Sequence, residues 1–170
     1  MANELEKPPR RSPNRAQLAV WREYIETAEE LGRALASGLQ STSGVSPGDY
    51  AVLLALSEAD DHRLRSSALA EVIGWERSRL SHHLGRMEAR GLIRRQRSDS
   101  DNRGAAVEMT DEGAKIFRSA SVSHLRLVRE LFVDALTSEE LEDARKVTTS
   151  LRRHLGNVPL CPQGGDDDGE

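Results

Sequence analysis

Two short helical segments meet at Gly74, and strand-like residues follow the second of them; this order constrains the fold more than any other feature. The first segment spans about residues 66–73, with Leu69, Ala70 and Ile73 inward. The second runs from about Glu76 to Arg90 and stops at Gly91, where a left-handed C-terminal cap is expected. The period then changes. Residues 92–97 and 105–109 each suggest a short strand, with Val107 and Met109 alternating with polar neighbours. The polar cluster at 98–104 joins them, so the pattern is a β-hairpin with a long tip. Two close helices joined by a glycine turn have the helix-turn-helix layout, in which the second helix enters the DNA major groove.

Long amphipathic helices flank this unit. Leu18, Trp21, Ile25, Ala28, Leu31, Leu35 and Leu39 form one apolar stripe over about six turns, ending near Gly44. Ser46, Pro47 and Asp49 form an N-terminal capping signal for a helix running through Tyr50–Glu58. Residues 59–65 form a polar connection in which Leu64 can add one short strand. Thr110 caps a fifth helix with the stripe Phe117, Ala120, Leu125, Val128, Leu131, Phe132 and Ala135. Thr137 and Glu140 open a sixth, with Leu141, Ala144, Val147, Leu151 and Leu155 inward.

The expected organisation is a flexible arm over 1–13, a helical dimerisation region over 14–45 and 111–155, a winged helix-turn-helix over 46–110, and a disordered acidic tail over 156–170. The fold class is mainly α with a small β-hairpin wing. Three amphipathic helices beside a small winged unit have no other obvious surface to cover, which supports an obligate homodimer.

Charge distribution matters more than its total. The net charge is −4, and Asp166, Asp167, Asp168 and Glu170 account for all of it. Residues 76–103 hold eight arginines against four acids, a local balance of +4. On the second short helix, Leu80, Leu84 and Met87 mark the buried face. Ser78, His82 and Gly85 lie opposite, flanked by Arg79, Ser81 and Arg86, with Arg77 in the first turn. Arginine pairs bidentately with guanine or with phosphate, and serine and histidine reach bases or phosphates. Arg77, Ser78, Arg79, Ser81, His82 and Arg86 are therefore the candidate DNA contacts of this helix. Arg95 and Arg97 on the hairpin, with Arg103 at its tip, supply a second set. Arg103 is placed to enter a narrow minor groove, with Asp101 orienting its guanidinium.

These residues together resemble the MarR family of winged helix-turn-helix regulators. The resemblance rests on Leu69-Ala70, Gly74, the Ser78–Leu84 stretch, the run Arg86 to Leu92, Asp101-x-Arg103 and Thr110-x-x-Gly113, and it covers about residues 18–155. It implies a homodimer on a palindromic operator, usually as a repressor, with half-sites about one helical turn apart. Gly85 stands where such proteins often carry Asp, and Gly104 follows Arg103 where a second Arg is frequent. Both departures bear on target sequence and affinity. The resemblance also implies release from DNA by a small phenolic or aromatic anion. Trp21, Tyr24 and Tyr50 are the aromatic candidates for its pocket, with core packing the commoner role for each.

Other classes are excluded or set aside. The longest apolar run is seven residues, Tyr50–Leu56, far short of a bilayer span, and no secretory signal opens the chain. A cytoplasmic protein without membrane contact is expected. Cys161 is the only cysteine and lacks a basic neighbour to activate it. The five histidines lack metal-ligand spacing, so no metal and no cofactor are expected. No catalytic motif is present, and no enzyme activity is expected. The competing reading is a winged-helix module that docks an acidic protein partner through the basic face.

Overall fold

The computed structural model describes residues 12–96 and 105–157. Arg97, Asp101, Arg103, Gly104, Cys161 and the acidic tail lie outside the described residues, as do residues 1–11 of the expected arm. The element order is α1 (Arg15–Ser43), α2 (Pro47–Glu58), β1 (Arg63–Arg65), α3 (Ser66–Ile73), α4 (Arg77–Ala89), β2 (Ile93–Gln96), β3 (Ala106–Met109), α5 (Asp111–Val128) and α6 (Ser138–Asn157). A single 3-10 turn, Asp60–His62, precedes β1.

Local chemistry sets the ends of these elements. Asn14 and Gln17 form a capping box at the start of α1. Gly44 closes the same helix in the left-handed region, at φ 65°. Ser46 accepts from the Asp49 amide, and Asp49 accepts from the Ser46 amide. Pro47 occupies the first turn, where its missing N–H costs nothing. Gly74 turns the chain at φ 66° between α3 and α4, and Gly91 does so at φ 73° after α4. Thr110 accepts from the Gly113 amide at the start of α5 and donates to the Gly91 carbonyl, tying that helix to the end of the recognition unit.

The sheet is antiparallel, in the order β1-β3-β2. Leu64 pairs with Val107, and Arg95 also pairs with Val107 from the other side. Val107 is buried, as the alternation predicts, while Met109 is only half-buried. Ala106 is buried as well, because the central strand is covered on both faces.

The chain forms two compact units, residues 1–127 and 128–170. The core of the first unit joins Val52, Leu53 and Leu56 of α2 to Leu69, Leu80, Leu84 and Met87 of the helix pair. Leu92, Ile93 and Val107 close it from the sheet. A smaller cluster, Leu39, Val45 and Ala120 with Tyr50 and Ile116, joins the end of α1 to α5. The second unit holds a π-helical turn, Arg129–Val133, followed by α6. The expected continuous helix through Ala135 is thus interrupted. The break between units falls inside the region assigned to dimerisation from sequence.

Several expected core positions face outward in the single chain. Leu125 is 64% exposed, against its expected place in the α5 stripe. Val147, Leu151 and Leu155 on α6 are exposed, as are Leu18 and Trp21 on α1. Among the described residues, no helix is long and apolar enough to cross a membrane.

Candidate nucleic-acid interface

The surface of α4 has two faces of opposite character. Leu80, Leu84 and Met87 are buried on one side. Arg77, Ser78, Arg79, Ser81, His82 and Arg86 are all exposed. The helix keeps both faces because α3 and the sheet cover only the apolar one. The Gly74 turn sets α4 against α3 without a bulky connection.

The arginines of this lobe are not equivalent. Arg90 donates to Asp49 Oδ2 at 2.7 Å. Arg94 donates to Glu108 at 2.9 Å, across the β2–β3 pair. Arg95 donates to Glu88 at 2.7 Å from its side chain, and its own backbone amide adds a second bond at 2.9 Å. These three are held by carboxylates. Among the described residues, Arg77, Arg79 and Arg86 pair with none. Of the described arginines between 76 and 103, those left for an anionic partner therefore lie on α4. Arg95, a sequence candidate, remains partly exposed while paired with Glu88. A cleft of about 330 Å³ lies beside it, lined in part by Ser66, Ser67, Arg77 and Ser81.

Behind the outer face is a polar cluster that sequence reasoning missed. Among the described residues, Asp49 and His83 are the buried polar side chains, at 3% and 9% exposure. His83 Nε2 lies 3.0 Å from Asp49 Oδ1, off the ideal hydrogen-bond line, so the contact is chiefly electrostatic. On the other edge of the ring, Nδ1 is 3.0 Å from Arg86 Nη2. The Trp75 ring meets the His83 ring edge-on, with centroids 5.2 Å apart. Arg79 lies over Trp75, its guanidinium carbon 4.3 Å from the ring centroid. Burial alone pushes the Asp49 carboxyl up, but hydrogen bonds from Arg90 and Ser46 and the Arg90 charge outweigh it, and the group sits below its ordinary value. For His83, burial is the strongest influence and drives the ring toward neutrality. The Asp49 charge opposes this, Arg86 and Arg90 reinforce it, and the net shift is downward from 6.5.

The three aromatic pocket candidates do not converge. Tyr50 is half-buried, its ring tilted against Phe117 at 5.5 Å and His124 at 4.7 Å between centroids, and its hydroxyl donates to Ser121. It packs at the Leu39 end of α1. Trp21 is 61% exposed and Tyr24 45% exposed. Trp21 is 18 positions before Leu39, about 27 Å along a helix.

A two-faced helix after a glycine turn, with an antiparallel hairpin behind it, is a winged helix-turn-helix, and known proteins share it. The MarR family model matches residues 43–104. AbsC, a MarR family transcriptional regulator from Streptomyces coelicolor, is 33% identical at a TM-score of 0.79, over 88% of this chain and 100% of that one. The chain belongs to the MarR family. Sco3205, a MarR family regulator from the same organism solved in complex with DNA, is also 33% identical, with a TM-score of 0.77 over 89% of this chain and 100% of that one. The transcriptional regulator HosA of Escherichia coli O157:H7 is 38% identical over 93 residues, 55% of this chain and 67% of that protein. The MarR-family model covers α2 through β2, ends before β3, and so includes Asp49, His83 and the whole of α4.

Proposed function

We propose that this MarR-family chain is a sequence-specific DNA-binding regulator that acts as a homodimer, with α4 in the major groove and the hairpin wing in the minor groove. One observation carries this reading. Arg77, Arg79 and Arg86 share the exposed side of a helix whose other side is locked into the core, and no carboxylate among the described residues neutralises them. The DNA complex of Sco3205, a relative of the same fold, supports it.

Exposed apolar area supports dimerisation. Trp21, Leu125, Val147 and Leu155 are each at least half exposed on long helices, an arrangement that favours association. A two-fold dimer carries two copies of α4 and fits a palindromic operator with half-site centres about 10 base pairs apart. Repression is the expected sign of control. An aromatic anion that releases DNA is part of the same proposal, with Tyr50 the best-placed of the three aromatics because it lies where α1, α2 and α5 meet.

Gel-shift titration with a duplex selected from a random library tests the reading. Arg77→Ala and Arg86→Ala should each weaken binding to that duplex by about 1–3 kcal/mol more than to random DNA. Equal losses on both duplexes would make these residues phosphate contacts without a share in sequence reading.

A further inference from the structure

The outer face of α4 is assembled from behind, by a residue that does not itself face solvent. We propose that His83 is a positioning residue for DNA reading, holding the Arg86 guanidinium directly and the Arg79 guanidinium through Trp75. The inference rests on the DNA-binding reading above.

The protonation pattern of the ring follows from its neighbours. Arginine has only donors, so the contact at 3.0 Å makes His83 Nδ1 an acceptor. The ring proton is then on Nε2, the atom that lies 3.0 Å from Asp49 Oδ1. Asp49 is fixed in turn, bonded to the Ser46 amide at the start of α2 and to Arg90 at the end of α4. A chain of contacts thus runs from the start of α2, through the imidazole, to an exposed arginine of α4. A free arginine side chain loses much rotamer freedom when it is fixed, so holding it before binding lowers the ordering cost at contact. Trp75 adds a second branch. Its ring abuts His83 and forms the platform beneath Arg79. A side chain at Gly48 would strike both Trp75 and His83, so the cluster closes tightly over α2.

Proton uptake by His83 would place a hydrogen on Nδ1, aimed at the Arg86 guanidinium. The charged groups facing the ring are Asp49 from α2 and Arg86 and Arg90 from α4. Protonation therefore breaks the Arg86 contact and sets two cations against each other, while the contact with Asp49 strengthens. Discrimination between operator and random DNA should fall as the ring takes up a proton.

Two amide substitutions separate the two edges of the ring. In His83→Asn the amide oxygen stands where Nδ1 stood and can accept from Arg86. In His83→Gln the amide nitrogen stands where Nε2 stood and keeps the Asp49 side only. The probe is the duplex that the wild-type protein enriches from a random library, compared with a scrambled duplex of equal length. H83Q should lose about fivefold or more of its preference for the selected duplex, the low end for one good contact, and H83N should restore most of it. In an Arg86→Ala background, H83Q should add only the share carried by the Trp75–Arg79 branch, less than it costs in the wild type. The wild-type preference should also fall as pH drops below 6.5, and that slope should flatten in R86A, which keeps every histidine. If H83Q does not fold, the R86A pH comparison alone decides. Equal losses in H83Q and H83N, an H83Q loss undiminished without Arg86, or an unchanged pH slope in R86A would each overturn the proposal. A library that enriches no sequence removes the DNA-binding reading and this inference with it.

Discussion

Gly113 occupies a place where no side chain fits. It is buried in the first turn of α5, and an added Cβ would collide with the carbonyl oxygen of Leu92, which is backbone and cannot swing away. Gly113→Ala should therefore destabilise the fold by about 1–3 kcal/mol, the usual cost of overpacking, read as a lower denaturation midpoint. The Asp49–His83 pair makes a different prediction at the same scale. The folded chain keeps His83 neutral to a lower pH than the unfolded chain does. Its contribution to stability is thus complete above 6.5 and declines as pH falls from 6.5 toward the lowered folded value. Asp49 is also lowered, from 3.8, so its contribution is complete above 3.8 and is lost as pH falls through its folded value. Melting curves across this range should show a decline just below 6.5 that is absent in H83N. A wild-type Tm that stays level there would contradict the assignment.

At the scale of elements, α4 depends on burial on one side alone. Leu84 is 1% exposed and packs against α2, α3 and the sheet, so Leu84→Ala should cost about 2–5 kcal/mol. Ser46→Ala should cost about 1 kcal/mol through the lost cap of α2. Urea denaturation of both variants checks the ranking. Ends and faces of this kind were legible in the sequence because their causes are local. Gly74, Gly91, Ser46 and Thr110 act within a few residues, and the α3 bounds expected from sequence match the observed ones. His83 was half legible. It lies three residues after Leu80 and four before Met87, which is core spacing, yet its neighbour His82 faces solvent. Its partner Asp49 is 34 positions earlier, and no local signal pairs the two. The same reason hid the state of the arginines. Eight bases could be counted, but Arg90, Arg94 and Arg95 are held by acids on other elements or in other turns. The π-helical turn at Arg129–Val133 also escaped, because its apolar residues keep helical spacing to the end.

At the scale of the whole molecule, the long helices carry more apolar surface than one chain covers. Leu151 is 43% exposed and Leu155 58% exposed, against buried leucines throughout the winged core. A charge at such a position should disrupt association more than folding. The wild type is expected to sediment as a dimer and Leu151→Glu as a monomer at the same concentration, with weaker binding to the selected duplex. The central claim is sequence-specific recognition of DNA by two copies of α4. Selection from a random duplex library by the purified full-length chain, at about 150 mM salt where non-specific phosphate binding is suppressed, tests it most directly. An inverted repeat with half-site centres about 10 base pairs apart should be enriched. A folded protein that enriches no motif would contradict it and favour a basic face that docks an acidic protein.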